Sequence, residues 1–250
     1  MVFNEECDSQ TNCDEDCKYT IPCLAHKLCP QIEWVFIAGG TYSLDLGDHP
    51  LEISVPSFEI SRSEVTVAQW ERCVISGVCE PYGGDYAALR RRHPAQVKGN
   101  KSLSFSRWVN ATLPSLHQWR FAATSRGKIS QIDINTSICD QGDIEYEGED
   151  CYGEGTSPVC SLLLAQTEQG VCDMIGNAPE ILLDGYEFPE DDTIDGQAAC
   201  SDPSCSDEFR KLAGGQYQPG QENPFFKYER ASWFNHFTGL RLVRPPQQWR

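Results

Sequence analysis

The sequence predicts an α+β fold, rich in loop, with two main helices set between segments of strand. Three observations carry this. Short apolar or alternating runs, bounded by Gly and Pro, stand near both ends of the chain. Two capping boxes, hydroxyl at the N-cap and amide three residues on, stand in the first half. Long stretches without hydrophobic period, 128–160 and 184–210, fill the space before the closing strands.

Residues 1–30 are polar, hold five cysteines and lack periodicity, and they read as a disulfide-tied extension. The globular domain is expected over 31–250. Trp34-Val-Phe-Ile-Ala-Gly-Gly-Thr-Tyr42 reads as a strand broken by a glycine pair. Leu51–Ile60 alternates as a half-buried strand does. Thr66-Val-Ala-Gln69 opens a helix that runs towards Gly77, and Ser115-Leu-His-Gln118 opens one that runs towards Gly127. The two long loops need staples or ions to be ordered. Lys211–Tyr217 and Gly239–Arg244 read as closing strands.

The formal charge is −17, with an isoelectric point near 4.6. That argues against nucleic acid and anionic membrane as partners and agrees with divalent cations or plain solubility. No run of about 18 apolar residues is present, so no transmembrane segment is expected. The 13 cysteines fall in short-range groups: Cys73 with Cys79, Cys139 with Cys151, Cys160 with Cys172, Cys200 with Cys205. The odd count leaves one over. This usage points to disulfides and an extracytoplasmic location, secreted, periplasmic or anchored at the cell surface. Zinc is the alternative, but there is no CxxC pair and no Cys–His knuckle spacing. The acidic start Met1-Val-Phe-Asn-Glu-Glu is not a signal peptide, so export implies a targeting segment absent from this chain.

Cys172-Asp-Met-Ile-Gly-Asn-Ala-Pro-Glu180 sets two acids around a Gly-Asn turn. Asp173 and Glu180 can aim oxygen at one spot, with the carbonyls of Gly176 and Ala178 between them. Calcium takes six to eight hard oxygens of this mixed kind. The alternative is a Gly-Asn turn between strands with two solvated acids.

The ordered set Ala38-Gly-Gly-Thr-Tyr42, Phe58–Thr66, His93-Pro94, Leu113–Ala123, Asp173-Met-Ile-Gly-Asn177, Gly214-Gly215 and Thr238–Pro245 resembles the formylglycine-generating enzyme (sulfatase-modifying factor) superfamily over roughly residues 31–246. The resemblance implies a variant of the C-type lectin fold, with a short twisted mixed sheet and two helices. It implies calcium held by Asp173, Gly176, Ala178 and Glu180, beside Pro179, where the family has an aromatic residue. It implies a second calcium before Thr156-Ser-Pro-Val159, with Asn135 and Asp150 as candidate ligands, although Cys151 competes for the aspartate's place.

Formylglycine-generating activity needs copper(I) between two cysteine thiolates, soft ligands for a soft ion. Aligned on Gly214-Gly-Gln-Tyr217, the two cysteine positions fall on Pro219 and Pro224, neither of which binds copper. No catalytic residue is assigned. His26, His49, His93, His117 and His236 contain no i, i+4 pair and read as packed or solvated. The expected function is therefore a non-catalytic binding or assembly module. The alternative is a metal-dependent oxidoreductase or modifying enzyme of the superfamily with an unrecognised site. Phe225, Phe226, Tyr228, Trp233, Phe234 and His236 lie in the stretch that the family fold places near its ligand surface. They are the candidate contacts for a protein or glycan ligand at the cell surface, or for self-assembly, with Trp233 the leading anchor. The alternative is that half of them fill the core.

Overall fold

The structure, a computed structural model, describes residues 23, 29–45, 50–81, 90–128, 156–161, 166–174, 176–185, 209–215, 231–232 and 237–247. Strands β1 (Trp34–Ile37), β2 (Gly40–Asp45), β3 (Pro50–Val55) and β4 (Phe58–Ser61) come first, followed by helix α1 (Val67–Ile75). Strand β5 (Val97–Lys98), helices α2 (Gly99–Trp108) and α3 (Leu116–Ala123), then strands β6 (Gly176–Gly185), β7 (Phe209–Gly215), β8 (Ala231–Ser232), β9 (Phe237–Thr238) and β10 (Val243–Arg244) complete the order.

Both capping boxes form. The Thr66 and Ser115 hydroxyls accept from the backbone N–H groups of Gln69 and Gln118, and each glutamine side-chain oxygen accepts from its cap residue's N–H. Two orphan donors at each helix start are thereby satisfied, which is why the helices begin there. The alternating run Leu51–Ile60 is divided between β3 and β4 at Pro56 and Ser57, since proline cannot donate to a ladder. Helix α2 has no side-chain cap, and Gly99, Ser102, Ser104 and Ser106 weaken its intrinsic propensity. Packing supplies what propensity lacks. Phe105 stacks on Trp70 of α1 at 5.5 Å between ring centroids and meets Trp108 edge-on at 5.9 Å.

The described strands form four small sheets, ordered β1-β4-β10, β2-β3, β5-β9 and β6-β7-β8. Strands β6 and β7 separate two apolar clusters. Leu182 and Ala213 face one, with Ile37, Phe58, Trp119, Phe121, Val171 and Met174. Ile181 and Leu212 face the other, with Trp70, Phe105, Trp108, Leu240 and Leu242. A strand buried on both faces leaves its charged residues at the seam, where they need internal partners.

Three disulfides occur among the described residues, Cys23–Cys29, Cys73–Cys79 and Cys160–Cys172. Cys23, Cys73 and Cys79 belong to the second apolar cluster. Cys139, Cys151, Cys200 and Cys205 lie outside the described residues. Among the described residues, no helix is long and apolar enough to cross a membrane.

Candidate functional site

The centre of the molecule is polar. Arg241, in the segment between β9 and β10, is wholly buried and stands among three buried acids: Glu64 before α1, Asp173 before β6, and Glu180 within β6. Its Nε donates to both Glu180 oxygens at 3.0 Å, and its NH2 donates to Glu180 Oε1 at 2.8 Å. Its remaining donors reach the carbonyls of Ser61 (3.0 Å), Arg62 (3.1 Å), Cys172 (2.8 Å) and Asp173 (3.4 Å). The indole of Trp119, on α3, donates to Glu180 Oε2 at 2.7 Å. Only a guanidinium, with its planar fork of five donors, can serve so many acceptors at once.

The start of β6 is irregular. The β6–β7 register passes from Gly176↔Gly215 to Pro179↔Gly214 and leaves Asn177 and Ala178 unpaired in it. This is a bulge, which bends the strand and re-aims its side chains. Asp173 (φ 54°) and Asn177 (φ 59°) both adopt left-handed backbone, which their short polar side chains tolerate. Asp173 Oδ2 accepts from the Cys160 N–H at 2.6 Å. Asn177 accepts from the Ser157 N–H at 2.9 Å and donates to Glu64 Oε2 at 3.3 Å. Glu64 Oε1 is buried without a hydrogen-bond partner among the described residues.

The charges do not balance. Glu64, Asp173 and Glu180 carry −3 when ionised and Arg241 carries +1, leaving −2 in a dry place. Burial pushes the Glu64 carboxyl well above the usual range. The Glu180 and Asp173 charges add to the rise, and Arg241 opposes it. Asp173 is also raised by burial, against its Cys160 N–H bond, Arg241 and a side-chain hydrogen bond with Glu64, so these two carboxyls face each other. Glu180 is raised by burial despite Arg241 and the Trp119 indole. Burial works against the charge of Arg241, but Glu180, Glu64 and Asp173 outweigh it and raise its pKa.

This set accepts a divalent cation in one respect and limits it in another. Two charges would neutralise the fully ionised cluster, and Glu64 Oε1, which no N–H or O–H donor reaches among the described residues, faces Asp173 where an ion could bridge the two carboxylates. Yet Glu180 is already committed to Arg241 and Trp119. Among the described residues, no three His, Cys, Asp or Glu side chains form a metal-holding group by themselves. An ion here therefore needs backbone carbonyls beside Asp173 and Glu64, with Glu180 acting mainly as the counter-ion of Arg241.

Glu64, Arg241 and Trp119 are the members that the sequence reading did not assign to a site. The available signals were an acid at the edge of the apolar Val65 and Val67, and an arginine between Leu240 and Leu242. Asn135 and Asp150 lie outside the described residues, as do Pro219, Pro224, Phe225, Phe226, Tyr228, Trp233, Phe234 and His236. Thr156–Val159 is described and packs beside the cluster through Ser157. His117 is fully buried with Nδ1 2.5 Å from the Tyr42 hydroxyl. His93 is partly buried, its Nδ1 3.1 Å from Thr156 Oγ1, and desolvation and Arg90 lower its pKa.

A family model for the sulfatase-modifying factor enzyme 1-like domain matches residues 25–246. The chain belongs to this family. Solved structures similar to this member include PvdO from Pseudomonas aeruginosa, at 20% identity and a TM-score of 0.63 over 88% of this chain and 96% of that one. CarF matches at 18% identity and TM-score 0.60, over 87% of this chain and 99% of that one. Variable protein 1 from Treponema denticola matches at 17% identity and TM-score 0.57, over 85% and 95%. At these identities the likeness speaks for the fold. No curated protein matches the chain.

Proposed function

We propose that this family member is an extracytoplasmic, calcium-binding, disulfide-stabilised module that works by binding or assembly rather than by copper chemistry. The observation that carries the calcium reading is the convergence of three buried carboxyls, Glu64, Asp173 and Glu180, on the single cation of Arg241, with Glu64 Oε1 given no N–H or O–H donor among the described residues. Asp173 and Glu64 would hold the ion with the carbonyls of Gly176 and Ala178, and Glu180 would contribute charge through its pair with Arg241. Calcium would supply two positive charges and a shell of oxygen contacts that tie the 172–180 segment to the loop before α1. The non-catalytic reading rests on Pro219 and Pro224 in the places of two thiolates. The ligand is proposed to be a protein or glycan at the cell surface, or a second copy of the chain, met through Phe225, Phe226, Tyr228, Trp233, Phe234 and His236. The disulfides agree with an oxidising compartment.

Elemental analysis of the purified chain, paired with thermal melts before and after chelation, tests this. About one calcium per chain and a melting temperature lowered by chelator are expected. Stoichiometric copper or iron, or a melt indifferent to both chelator and added calcium, would overturn it.

A further inference from the structure

The Cys160–Cys172 bridge lies directly against the acidic cluster. Cys172 precedes Asp173 in sequence, and Cys160 donates its backbone N–H to Asp173 Oδ2 at 2.6 Å. The bridge and this hydrogen bond thus close on the same carboxylate from two directions. Its two ends are held differently. Cys172 is fully buried, its N–H donates to the Arg62 carbonyl at 2.7 Å, and its carbonyl accepts from Arg241 at 2.8 Å. Cys160 is half-buried and has left-handed backbone (φ 55°). A cysteine has no side-chain reason to stay there, and such a conformation persists only where the surroundings impose it. Asp173, at the other end of the hydrogen bond, is left-handed too (φ 54°).

We propose that Cys160 and its bridge are positioning residues for the acidic cluster, so that its calcium affinity depends on the thiol–disulfide state of this one pair. The proposal rests on the reading of the cluster as a calcium site. Cutting the bridge leaves Cys172 anchored by Arg62 and Arg241, whereas Cys160 keeps only its bond to Asp173 and a short turn, in which the Val159 N–H donates to the Arg92 carbonyl at 2.9 Å and the Ser161 N–H to the Pro158 carbonyl at 3.2 Å. The Cys160 backbone relaxes to negative φ, its N–H turns away, and Asp173 loses the donor that orients its carboxylate. A dithiol reductant performs the step. One of its thiolates attacks the Cys160 sulfur, the S–S bond breaks, and the Cys172 sulfur leaves and takes up a proton. The reductant's second thiolate then displaces Cys160 as a thiol and closes a disulfide in the reductant. Two electrons and two protons pass to the protein. The Cys73–Cys79 bridge, set in the second apolar cluster, has no such link to Asp173 among the described residues and serves as the control.

The test uses the full chain with calcium alone as the probe, followed by calorimetric titration. The double variant Cys160→Ser/Cys172→Ser is expected to bind calcium about tenfold more weakly or worse, as loss of an outer-shell partner does. Cys73→Ser/Cys79→Ser is expected to melt lower while its calcium affinity stays within about twofold of wild type, as loss of a staple remote from the ligands predicts. Should the first variant not fold, the wild type is titrated with a dithiol under native conditions. The state of Cys160 and Cys172 is then read by peptide mapping beside the calcium affinity, and affinity is expected to fall as that pair opens. Full affinity after the bridge is open, by either route, overturns the proposal and leaves the calcium reading intact. A wild type that binds no calcium overturns both.

Discussion

Replacing Arg241 with methionine tests the electrostatic account of the core. Methionine roughly fills the volume, so little of the effect comes from a cavity. What is lost is the partner of Glu180 and a donor to the carbonyls of Ser61, Arg62, Cys172 and Asp173. Removing one side of a buried ion pair costs about 3–5 kcal/mol, because the other charge stays buried and unpaired. Orphaned carbonyls add to this, so about 4 kcal/mol, above the low end of that range, is the working figure. For a chain of this size, about 1 kcal/mol moves the melting temperature by 2–4 °C, so a fall of about 8–16 °C is expected. Total stabilities are about 5–15 kcal/mol, so a marginal protein would not fold at all. The assay is a thermal melt in chelator, with Glu180→Gln and the double variant completing a cycle. Because Glu180→Gln removes the stranded charge, the double variant should be less destabilised than the sum of the singles by more than about 1 kcal/mol. An Arg241→Met melt within about 3 °C of wild type, or an additive cycle, would refute the reasoning.

Two other substitutions probe the same region. Glu64→Gln should raise the metal-free melting temperature at pH 7.5, by about 2–4 °C for each 1 kcal/mol of like-charge burial relieved, and should shrink the stabilisation given by added calcium. The sign follows from linkage: Glu64, Asp173 and Glu180 all have raised folded pKa values. Their contribution is therefore fully present below the unfolded carboxylate pKa and is lost as pH rises through the folded values. Metal-free wild type should lose stability from acid towards neutral pH, and Glu64→Gln should flatten that slope; an unchanged slope would count against the buried-charge account. At Gly214, φ is +67°, and an added Cβ would lie 3.1 Å from the Met174 carbonyl oxygen and 3.2 Å from Trp119 Cζ2. Gly214→Ala should cost about 2 kcal/mol or more in a denaturant melt, and a neutral result would mean the strand shifts freely there.

The sequence by itself determined what short-range chemistry decides. Thr66 and Ser115 announced two helix starts because each cap is completed within four residues. The pairings Cys73–Cys79 and Cys160–Cys172 were legible because short spacing favours local closure. The family was legible from the order of small motifs, each too brief to be diagnostic alone. Helix α2 was not, since its serines and glycine argue against a helix until Phe105 meets Trp70 across the core. The division of Leu51–Ile60 into two strands in different sheets also needed the fold, because alternation marks burial but not the partner. Above all, tertiary structure decided the acidic cluster. Glu64, Asp173, Glu180 and Arg241 are spread over 178 positions of the chain (241 − 64 + 1), and nothing local requires them to meet. They meet because β6 is buried on both faces. A charge in such a strand is tolerable only if another part of the chain brings it a partner.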